Sequence, residues 1–252
     1  MKILFLRHKY VTLLAGAALS VAVFAAAAMP AAVSASTTER QLPIYCVNRD
    51  QKVCAISFDA AWGDASTQSL VDILNQYNVK ATFFVIGNWA EQYPEDVKML
   101  KENGMEVMNH SSAHGHMNQM SSEEIIADIK KCNDQIEALT GECPTLFRAP
   151  YGEYDDHVIA AVRSIGMEPI QWDVDSLDWK EISAGENYER VTSRVKPGSI
   201  ILFHNAGLNT PEALPDILEY LIGEGYEVVP VSQILLDGEY TIDHEGRQWA
   251  AE

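Results

Sequence analysis

The feature that most constrains the fold of this chain is a regular alternation between short apolar runs and amphipathic stretches, which starts at residue 53. The apolar runs have the length of buried strands, and the stretches between them have helical periodicity. A strand, a helix and a further strand in succession predict parallel pairing through a crossover. The predicted strands are 53–58, 81–86, 105–109, 145–149, 169–173, 199–203 and 226–230, and the predicted helices are 67–77, 94–103, 122–139, 156–165, about 186–195 and 211–223.

The position of the polar residues distinguishes between the two folds that this pattern allows. A closed barrel places its functional residues at the carboxyl ends of many strands, whereas an open doubly wound sheet concentrates them at one switch point. Here polar and charged residues follow five of the predicted strands, at 57–64, 109–114, 147–152, 173–179 and 202–204. The sequence therefore predicts a single α/β domain over residues 53–236, built as a barrel of parallel strands.

The amino-terminal segment 1–35 has the pattern of a secretion signal. A basic start precedes the apolar run 11–29, and small residues occupy positions 32–35. We expect cleavage after Ala35, a mature chain that begins at Ser36, and a secreted or cell-wall-associated protein. The alternative is an uncleaved membrane anchor, because the apolar run is almost long enough to span a bilayer. Both alternatives place the domain outside the cytoplasm.

The charge of the chain excludes one large class of partner. The 252 residues carry a formal net charge of −18, with 18 basic and 36 acidic residues. Nucleic-acid binding requires Lys and Arg to neutralise phosphates, and anionic membrane or teichoic-acid surfaces would repel so acidic a protein. A neutral glycan would be unaffected. No obligate protein partner is evident.

Few sequence patterns constrain the structure of the segments that flank the predicted domain. We predict that 36–52 is an amino-terminal segment with a hairpin that brings Cys46 opposite Cys54, and that 237–252 is a loosely held polar tail. Cys132 and Cys143 are the other two cysteines. Secretion permits disulfides, and four buried thiols are the alternative. No CxxC spacing indicates a zinc site.

The strand exits contain residues that fit metal-assisted hydrolysis. His110 and His114 are four residues apart, which on a helix or tight turn directs both imidazoles to one side, as a metal pair requires. A metal in such a site polarises a carbonyl and acidifies water. Asp59 and His204 lie on separate strand exits and fit the base and the acid that hydrolysis also needs.

Arginine and aspartate side chains could orient Asp59 and His204. Arg148 can hold the Asp59 carboxylate, and Asp178 or Asp175 can hold the His204 imidazole. The alternatives are a structural ion pair at the barrel mouth and a buried, satisfied histidine. Among the aromatic residues that could stack on sugar rings, Trp62, Trp89, Trp172 and Trp179, only Trp179 lies within an acidic strand exit and is favoured.

These residues make the chain resemble the polysaccharide deacetylases of carbohydrate esterase family 4, which share the NodB homology domain. The resemblance extends from about residue 53 to residue 236 and is closest to the branch associated with peptidoglycan and sporulation in Gram-positive bacteria. Five motifs occur in order at strand exits: Phe58-Asp59, HSxxH at 110–114, RxPYG at 148–152, DxxDW at 175–179 and LxH at 202–204.

The resemblance implies a distorted (β/α)7 barrel, a divalent metal that is usually zinc, with cobalt and nickel as alternatives, and a role for each matched residue. Asp59 would be the general base and His204 the general acid, with Arg148 positioning the former and Asp178 tuning the latter. His110 and His114 would bind the metal. The pocket would contain the backbone N–H of Tyr151 as oxyanion donor, the walls Trp179 and Leu202, and Asp175.

One position departs from the family pattern. Ala60 stands where the family usually has a second aspartate that completes the metal triad, and alanine cannot bind a metal. Water or Asp64 would fill the position, the metal would bind more weakly, or the protein would be inactive. We expect activity with an altered site, because every other motif is intact. The expected substrate is an N-acetylated cell-wall or chitin-like polysaccharide, peptidoglycan above all. The alternatives are an O-acetyl esterase of the xylan type and a catalytically inactive glycan-binding protein.

Overall fold

The computed structural model describes residues 40–251, so the predicted leader and its cleavage site lie outside the described residues. Within this range no helix is long and apolar enough to cross a membrane. The strands are β1 Cys46–Val47, β2 Val53–Ala60, β3 Thr82–Val85, β4 Glu106–Asn109, β5 Leu146–Phe147, β6 Glu168–Pro169, β7 Val174–Asp175, β8 Ile200–His204, β9 Glu227–Val229, β10 Tyr240–Ile242 and β11 Arg247–Ala250. The helices are α1 Thr67–Gln76, α2 Gly87–Gln92, α3 Pro94–Glu102, α4 Ser122–Thr140, α5 Asp156–Ser164, α6 Ala184–Thr192, α7 Thr210–Gly223 and α8 Val231–Ile234.

The main sheet is entirely parallel, as the alternation of strands and helices predicts. Its order is β6-β5-β4-β3-β2-β8-β7, and β9 pairs with the amino-terminal part of β2. The longest strand, β2, therefore lies inside the sheet, between β3 and β8. The carboxyl ends of all these strands lie at one end of the sheet, which is where the polar motifs of the sequence emerge.

The sheet must curl into a barrel because of a short connection. Strands β6 and β7 lie at opposite edges of the sheet, yet only residues 170–173 separate them. An open sheet of seven strands would hold its edges roughly 29 Å apart, at about 4.8 Å per strand spacing, and five residue steps span at most about 18 Å. The predicted barrel, a distorted (β/α)7 barrel, is confirmed. The single strand predicted at 169–173 is wrong, because residues 170–173 cross from one edge to the other and connect two short strands, β6 and β7.

Alternation along β2 separates the apolar core from the site. Phe58 faces the helical layer, where its ring stacks on Phe83 with centroids 4.8 Å apart and on Phe203 at 5.6 Å. The neighbouring positions Ser57 and Asp59 point to the opposite face, since successive side chains of a strand alternate. Apolar residues on one face thus anchor the strand while polar residues on the other face line the barrel interior.

Both flanking segments differ from their predictions. The hairpin predicted within 36–52 does not form. Strand β1 pairs with β11 instead, and the backbone of Cys46 forms an isolated antiparallel β-bridge with Ser199. All four cysteines are free; Cys143 is exposed and the other three are buried. The tail is not loose, because β10 and β11 form a hairpin that joins β1 in a three-stranded sheet. The partner of this hairpin lies about two hundred residues earlier in the chain, so local sequence patterns could not indicate it.

Candidate active site

The two residues predicted as base and acid are neighbours across two strands. Asp59 near the end of β2 is in register with His204 at the end of β8. Parallel register therefore brings together two side chains that are far apart in the sequence, at the carboxyl end of the barrel. Both side chains line a single cavity of about 570 Å³.

Asp59 is held by a buried ion pair. The Nη1 atom of Arg148 donates to Asp59 Oδ1 at 2.7 Å, and Nη2 donates to Ser57 Oγ at 2.9 Å. Arg148 is fully buried, with its guanidinium 4.0 Å from the centroid of Phe84. Burial would raise the pKa of the Asp59 carboxyl, but the neighbouring basic groups His110, Arg148 and His204 outweigh it and hold that pKa below its ordinary value. Asp59 is therefore ionised, as a base must be.

The tautomer of His110 is fixed by a backbone carbonyl. Its Nδ1 atom lies 2.8 Å from the carbonyl oxygen of Arg148, and a carbonyl only accepts, so Nδ1 is the protonated nitrogen. Burial lowers the pKa of His110, which makes its imidazole neutral. The lone pair then resides on Nε2, which lies 3.4 Å from Asp59 Oδ2. Second-sphere hydrogen bonds of this kind are common for metal-binding histidines.

His114 lies beside His110, with ring centroids 5.0 Å apart. The connection between them is a tight turn and not a helix: Ser111 and His114 have φ values of 78° and 57°, and Ser111 Oγ accepts the His114 backbone N–H at 2.9 Å. Burial lowers the pKa of His114 to about 4. Its Nδ1 atom is buried without a hydrogen-bond partner among the described residues.

The histidine pair fits a divalent metal, but the third protein ligand of the usual triad is missing. Two neutral imidazoles, one of them with a buried nitrogen that has no hydrogen-bond partner within residues 40–251, are nitrogen ligands that zinc, cobalt and nickel bind. Ala60 is fully buried in the apolar cluster with Phe58. Asp64 is exposed and is absent from the cavity wall. It lies near Asp96, whose pKa is raised first by burial and then by the charge of Asp64. In the described part of the chain, no group of three or more His, Cys, Asp or Glu side chains is placed to hold a metal.

The predicted acid, His204, has its own partner. His204 Nδ1 lies 2.7 Å from Asp178 Oδ1, while Asp178 Oδ2 accepts the backbone N–H of His204 at 2.7 Å and the hydroxyl of Thr210 at 2.8 Å. Of the two aspartates that the sequence left open for this role, the structure places Asp178 there; Asp175 lines the cavity and accepts the N–H of Leu177. Burial would lower the pKa of His204, but the hydrogen bond and charge of Asp178 outweigh it and raise that pKa.

The Asp178→Asn variant should lower the pKa of the His204 imidazole. The substitution removes the charge that outweighs burial, so the remaining desolvation favours the neutral ring. NMR titration of the His204 ring protons in the parent and the variant measures the change. Thr210→Ser, which keeps a hydroxyl next to Asp178, is the control and should leave the titration in place. An unchanged His204 pKa in Asp178→Asn would show that Asp178 does not tune the imidazole.

The cavity wall contains the predicted pocket residues and two aromatic residues that the sequence analysis did not favour. Tyr151, Trp179, Leu202 and Asp175 line it as expected, and so do Trp62 and Trp172. Trp89 is buried and donates to the Gly63 carbonyl. Ser57 and Thr210, which form hydrogen bonds with Arg148 and Asp178, were not predicted from the sequence. Ser57 could have been found, because it lies two residues before Asp59 on the same face of β2.

The chain is similar to known proteins in both sequence and structure. The sequence profile of the family described as polysaccharide deacetylase matches residues 47–170. The crystal structure of Bc1960, a peptidoglycan N-acetylglucosamine deacetylase, superposes with a TM-score of 0.72 at 30% identity and covers 76% of this chain and 92% of that chain. The chain belongs to the polysaccharide deacetylase family. The resemblance to carbohydrate esterase family 4 is thereby confirmed, including its Gram-positive branch.

Two further relatives show the range of this deacetylase family. Peptidoglycan-N-acetylmuramic acid deacetylase PdaC of Bacillus subtilis is 37% identical over 189 residues, which are 75% of this chain and 40% of PdaC. BA3943 of Bacillus anthracis, described as a pseudoenzyme of the family, has a TM-score of 0.75 at 33% identity and covers 78% of this chain and 69% of that chain. The chain spans about 40 to 60% of the length of the first curated relatives that it matches.

Proposed function

We propose that this chain is a metal-assisted deacetylase that hydrolyses the N-acetyl groups of a cell-wall or chitin-like polysaccharide, with peptidoglycan as the favoured substrate. The observation that supports it most is the pairing of each reacting group with its own partner at one cavity: Asp59 with Arg148, and His204 with Asp178. A binding protein would not need an ionised carboxylate and an imidazole of raised pKa in register on adjacent strands.

The two groups have opposite protonation states, as a base and an acid in one reaction require. The pKa of Asp59 is lowered, so its carboxylate can accept a proton from the attacking water. The pKa of His204 is raised, so its imidazolium can donate a proton to the departing amine. Arg148 orients the first group. Asp178 accepts the Nδ1–H of the second, so the proton that the imidazolium can transfer is the one on Nε2.

The remaining residues bind and orient the substrate or hold the cofactor. His110 and His114 would hold a divalent ion such as zinc, cobalt or nickel, which when bound would polarise the acetyl carbonyl and acidify water. Tyr151, whose backbone is left-handed with φ 60°, would offer its N–H to the developing oxyanion. Trp179 and Leu202 would enclose the acetyl methyl group, and Asp175 lies beside them at the cavity wall.

The named relatives support the choice of substrate. PdaC is a peptidoglycan-N-acetylmuramic acid deacetylase, and PgdA of Listeria monocytogenes, which is 34% identical over 186 residues covering 74% of this chain and 39% of PgdA, is a peptidoglycan-N-acetylglucosamine deacetylase. An O-acetyl ester of the xylan type would use the same groups. Secretion through the predicted leader, or anchorage by it, is part of this proposal, since such a polymer lies outside the cytoplasm.

A catalytically inactive glycan-binding role is the second candidate, and two observations favour it. Ala60 removes the third metal ligand, and BA3943, a pseudoenzyme, is a structural neighbour. A BA3943 mutant with restored enzymatic activity is also a neighbour, at 34% identity. The loss of activity in BA3943 can therefore be reversed by mutation, which is consistent with a largely preserved site in that protein.

Acetate release from purified peptidoglycan separates these candidates. We expect release that increases with added zinc, cobalt or nickel and stops after chelation, and that exceeds release from an O-acetylated xylan. Release from the ester polymer alone would favour the esterase. Absence of release with each metal, together with binding of the polymer, would reject the deacetylase and support the glycan-binding role.

Replacement of Ala60 with Asp should increase metal affinity and change how metal affects stability. A carboxylate at the fully buried position 60 is costly to desolvate unless an ion pairs with it. We expect Ala60→Asp to lower the Tm of the metal-free protein and to show a larger zinc-induced rise in Tm than the parent, because ligand binding stabilises the folded state. Zinc titration with calorimetric unfolding measures both quantities.

The matched control for this prediction is Asp64→Ala, four residues away. Asp64 is exposed and outside the cavity wall, so its loss should leave zinc affinity unchanged. A fall in affinity in Asp64→Ala would show that the loop brings this carboxylate to the metal after all. Equal zinc-induced shifts in Ala60→Asp and the parent would show that position 60 does not reach the ion.

A further inference from the structure

Trp62 is a large aromatic side chain that remains 59% exposed at the cavity wall, three residues after Asp59. None of the roles proposed above uses it. Burying an indole is favourable, so a tryptophan that stays exposed beside a cavity marks a surface that binds something. The chemistry of the exposed face is that of a flat, apolar ring, which suits the C–H face of a sugar.

The loop that carries Trp62 is fixed to the barrel. The carbonyl oxygen of Gly63 accepts two hydrogen bonds, from Trp89 Nε1 at 2.7 Å and from Asn205 Nδ2 at 2.9 Å. Both donors belong to buried residues, and Asn205 directly follows His204. Gly63 also has φ 61°, a left-handed conformation that glycine adopts without strain. The backbone next to Trp62 is thus held at a defined position relative to the proposed acid, which lowers the entropic cost of ordering this loop when a ligand binds.

Trp62 continues an aromatic wall at the histidine pair. Its ring meets the edge of His114 with centroids 4.7 Å apart, and His114 in turn meets Tyr151 at 4.4 Å. Tyr151, which is also exposed, stacks on His116 at 4.6 Å with an interplanar angle of 16°. A ligand in the cavity therefore has a continuous surface of rings on this side.

The strand order places a second exposed indole on the other side of the proposed acid. Trp62 follows β2 and Trp179 follows β7, while β8, which carries His204, lies between these two strands. Trp179 is 55% exposed and lines the same cavity. A ligand that contacts both indoles must pass over His204. The cavity volume of about 570 Å³ lies within the range of about 300–1,000 Å³ for whole ligand sites and is far larger than an acetyl group needs.

We propose that Trp62 is a glycan-binding residue whose indole stacks on a sugar unit on the opposite side of His204 from Trp179, so that the cavity takes a run of N-acetylhexosamine units of a polymer and not a single sugar. The identity of the ligand rests on the proposed function. The stacking itself does not require catalysis, so it can be measured without turnover.

The test compares the binding of N-acetylglucosamine with that of its β-1,4-linked tetrasaccharide by isothermal titration calorimetry in the presence of a chelator. Trp62→Ala should weaken tetrasaccharide binding about tenfold and monosaccharide binding by less than about twofold, because only the longer ligand reaches the second indole. Trp62→Tyr should recover most of the loss, since it restores a stacking face. Trp249→Ala is the matched control, because Trp249 is also an exposed tryptophan but lies outside the cavity wall.

Three results would overturn the inference. They are unchanged tetrasaccharide affinity in Trp62→Ala, equal losses for the two ligands, and a parent protein that binds the tetrasaccharide no better than the monosaccharide. Thermal unfolding confirms that each variant is folded. A parent that binds the tetrasaccharide through Trp62 but releases no acetate from peptidoglycan would reject the deacetylase and leave this inference standing. Acetate release from the parent, with unchanged tetrasaccharide affinity in Trp62→Ala, would support the deacetylase and reject this inference.

Discussion

The Asp59→Asn and His204→Ala variants should each lower kcat for acetate release by at least ~100-fold, the usual contribution of a general base or acid. Asparagine keeps the shape of Asp59 and can still face Arg148, but it cannot accept the proton. Alanine at position 204 removes the only imidazole that Asp178 orients. The loss should appear in kcat with little change in KM, because neither group is needed to hold the sugar.

Controls are available for both substitutions. Asp64→Asn changes an exposed aspartate on the loop that follows the same strand, and His157→Ala changes a partly exposed histidine that contacts Met120 away from the cavity. Both should release acetate at the parent rate. A kcat within about tenfold of the parent in either Asp59→Asn or His204→Ala, with the fold intact, would remove that residue from its role.

The Arg148→Met variant should lose about 3–5 kcal/mol of unfolding free energy at neutral pH, which is the usual cost of breaking a buried ion pair by removing one partner. Arg148 is fully buried, and its loss leaves the Asp59 carboxylate without its ion-pair partner and Ser57 without the donor that Arg148 supplies. Urea denaturation at pH 7 measures the difference. Arg163→Met is the control: Arg163 pairs with Glu168 in a partly exposed position, and its loss should cost about 1 kcal/mol or less.

Two further measurements show whether the cost comes from the unpaired charge. The double variant Arg148→Met/Asp59→Asn should be more stable than Arg148→Met alone, because it removes the carboxylate as well. In the parent the Asp59 pKa is lowered, so this pair contributes stability above the unfolded-state pKa that is lost as the pH falls through the folded-state pKa. The gap between parent and Arg148→Met should therefore narrow in acid. A gap that is constant with pH and unaffected by Asp59→Asn would mean that lost packing is the cause.

The sequence by itself determined the class of fold and the membership of the site. Alternating apolar and amphipathic segments predict parallel strands and crossover helices because those periodicities are local properties of the chain. Capping signals are local as well: Ser121 and Glu124 form a capping box at the start of the helix Ser122–Thr140. The residues at the strand exits could be grouped because parallel strands share one end. The structure brings Asp59 and His204 to the same cavity, and the buried Arg148 binds Asp59.

Only the tertiary structure decided the features that depend on contacts between distant segments. Burial makes His110 and His114 neutral, and no local pattern reveals burial of that kind. The choice of Asp178 over Asp175 follows from the position of His204 on β8.

The path of the chain between its segments was decided in the same way. The direction of the loop after Ala60 points Asp64 away from the cavity wall and Trp62 towards it. The tail folds as a hairpin because it pairs with β1, a strand that precedes all the barrel strands in the sequence. Each of these outcomes depends on free energies of packing and desolvation that exist only once the barrel has closed. The site residues could therefore be identified from the sequence, but their protonation states and hydrogen-bond partners could not.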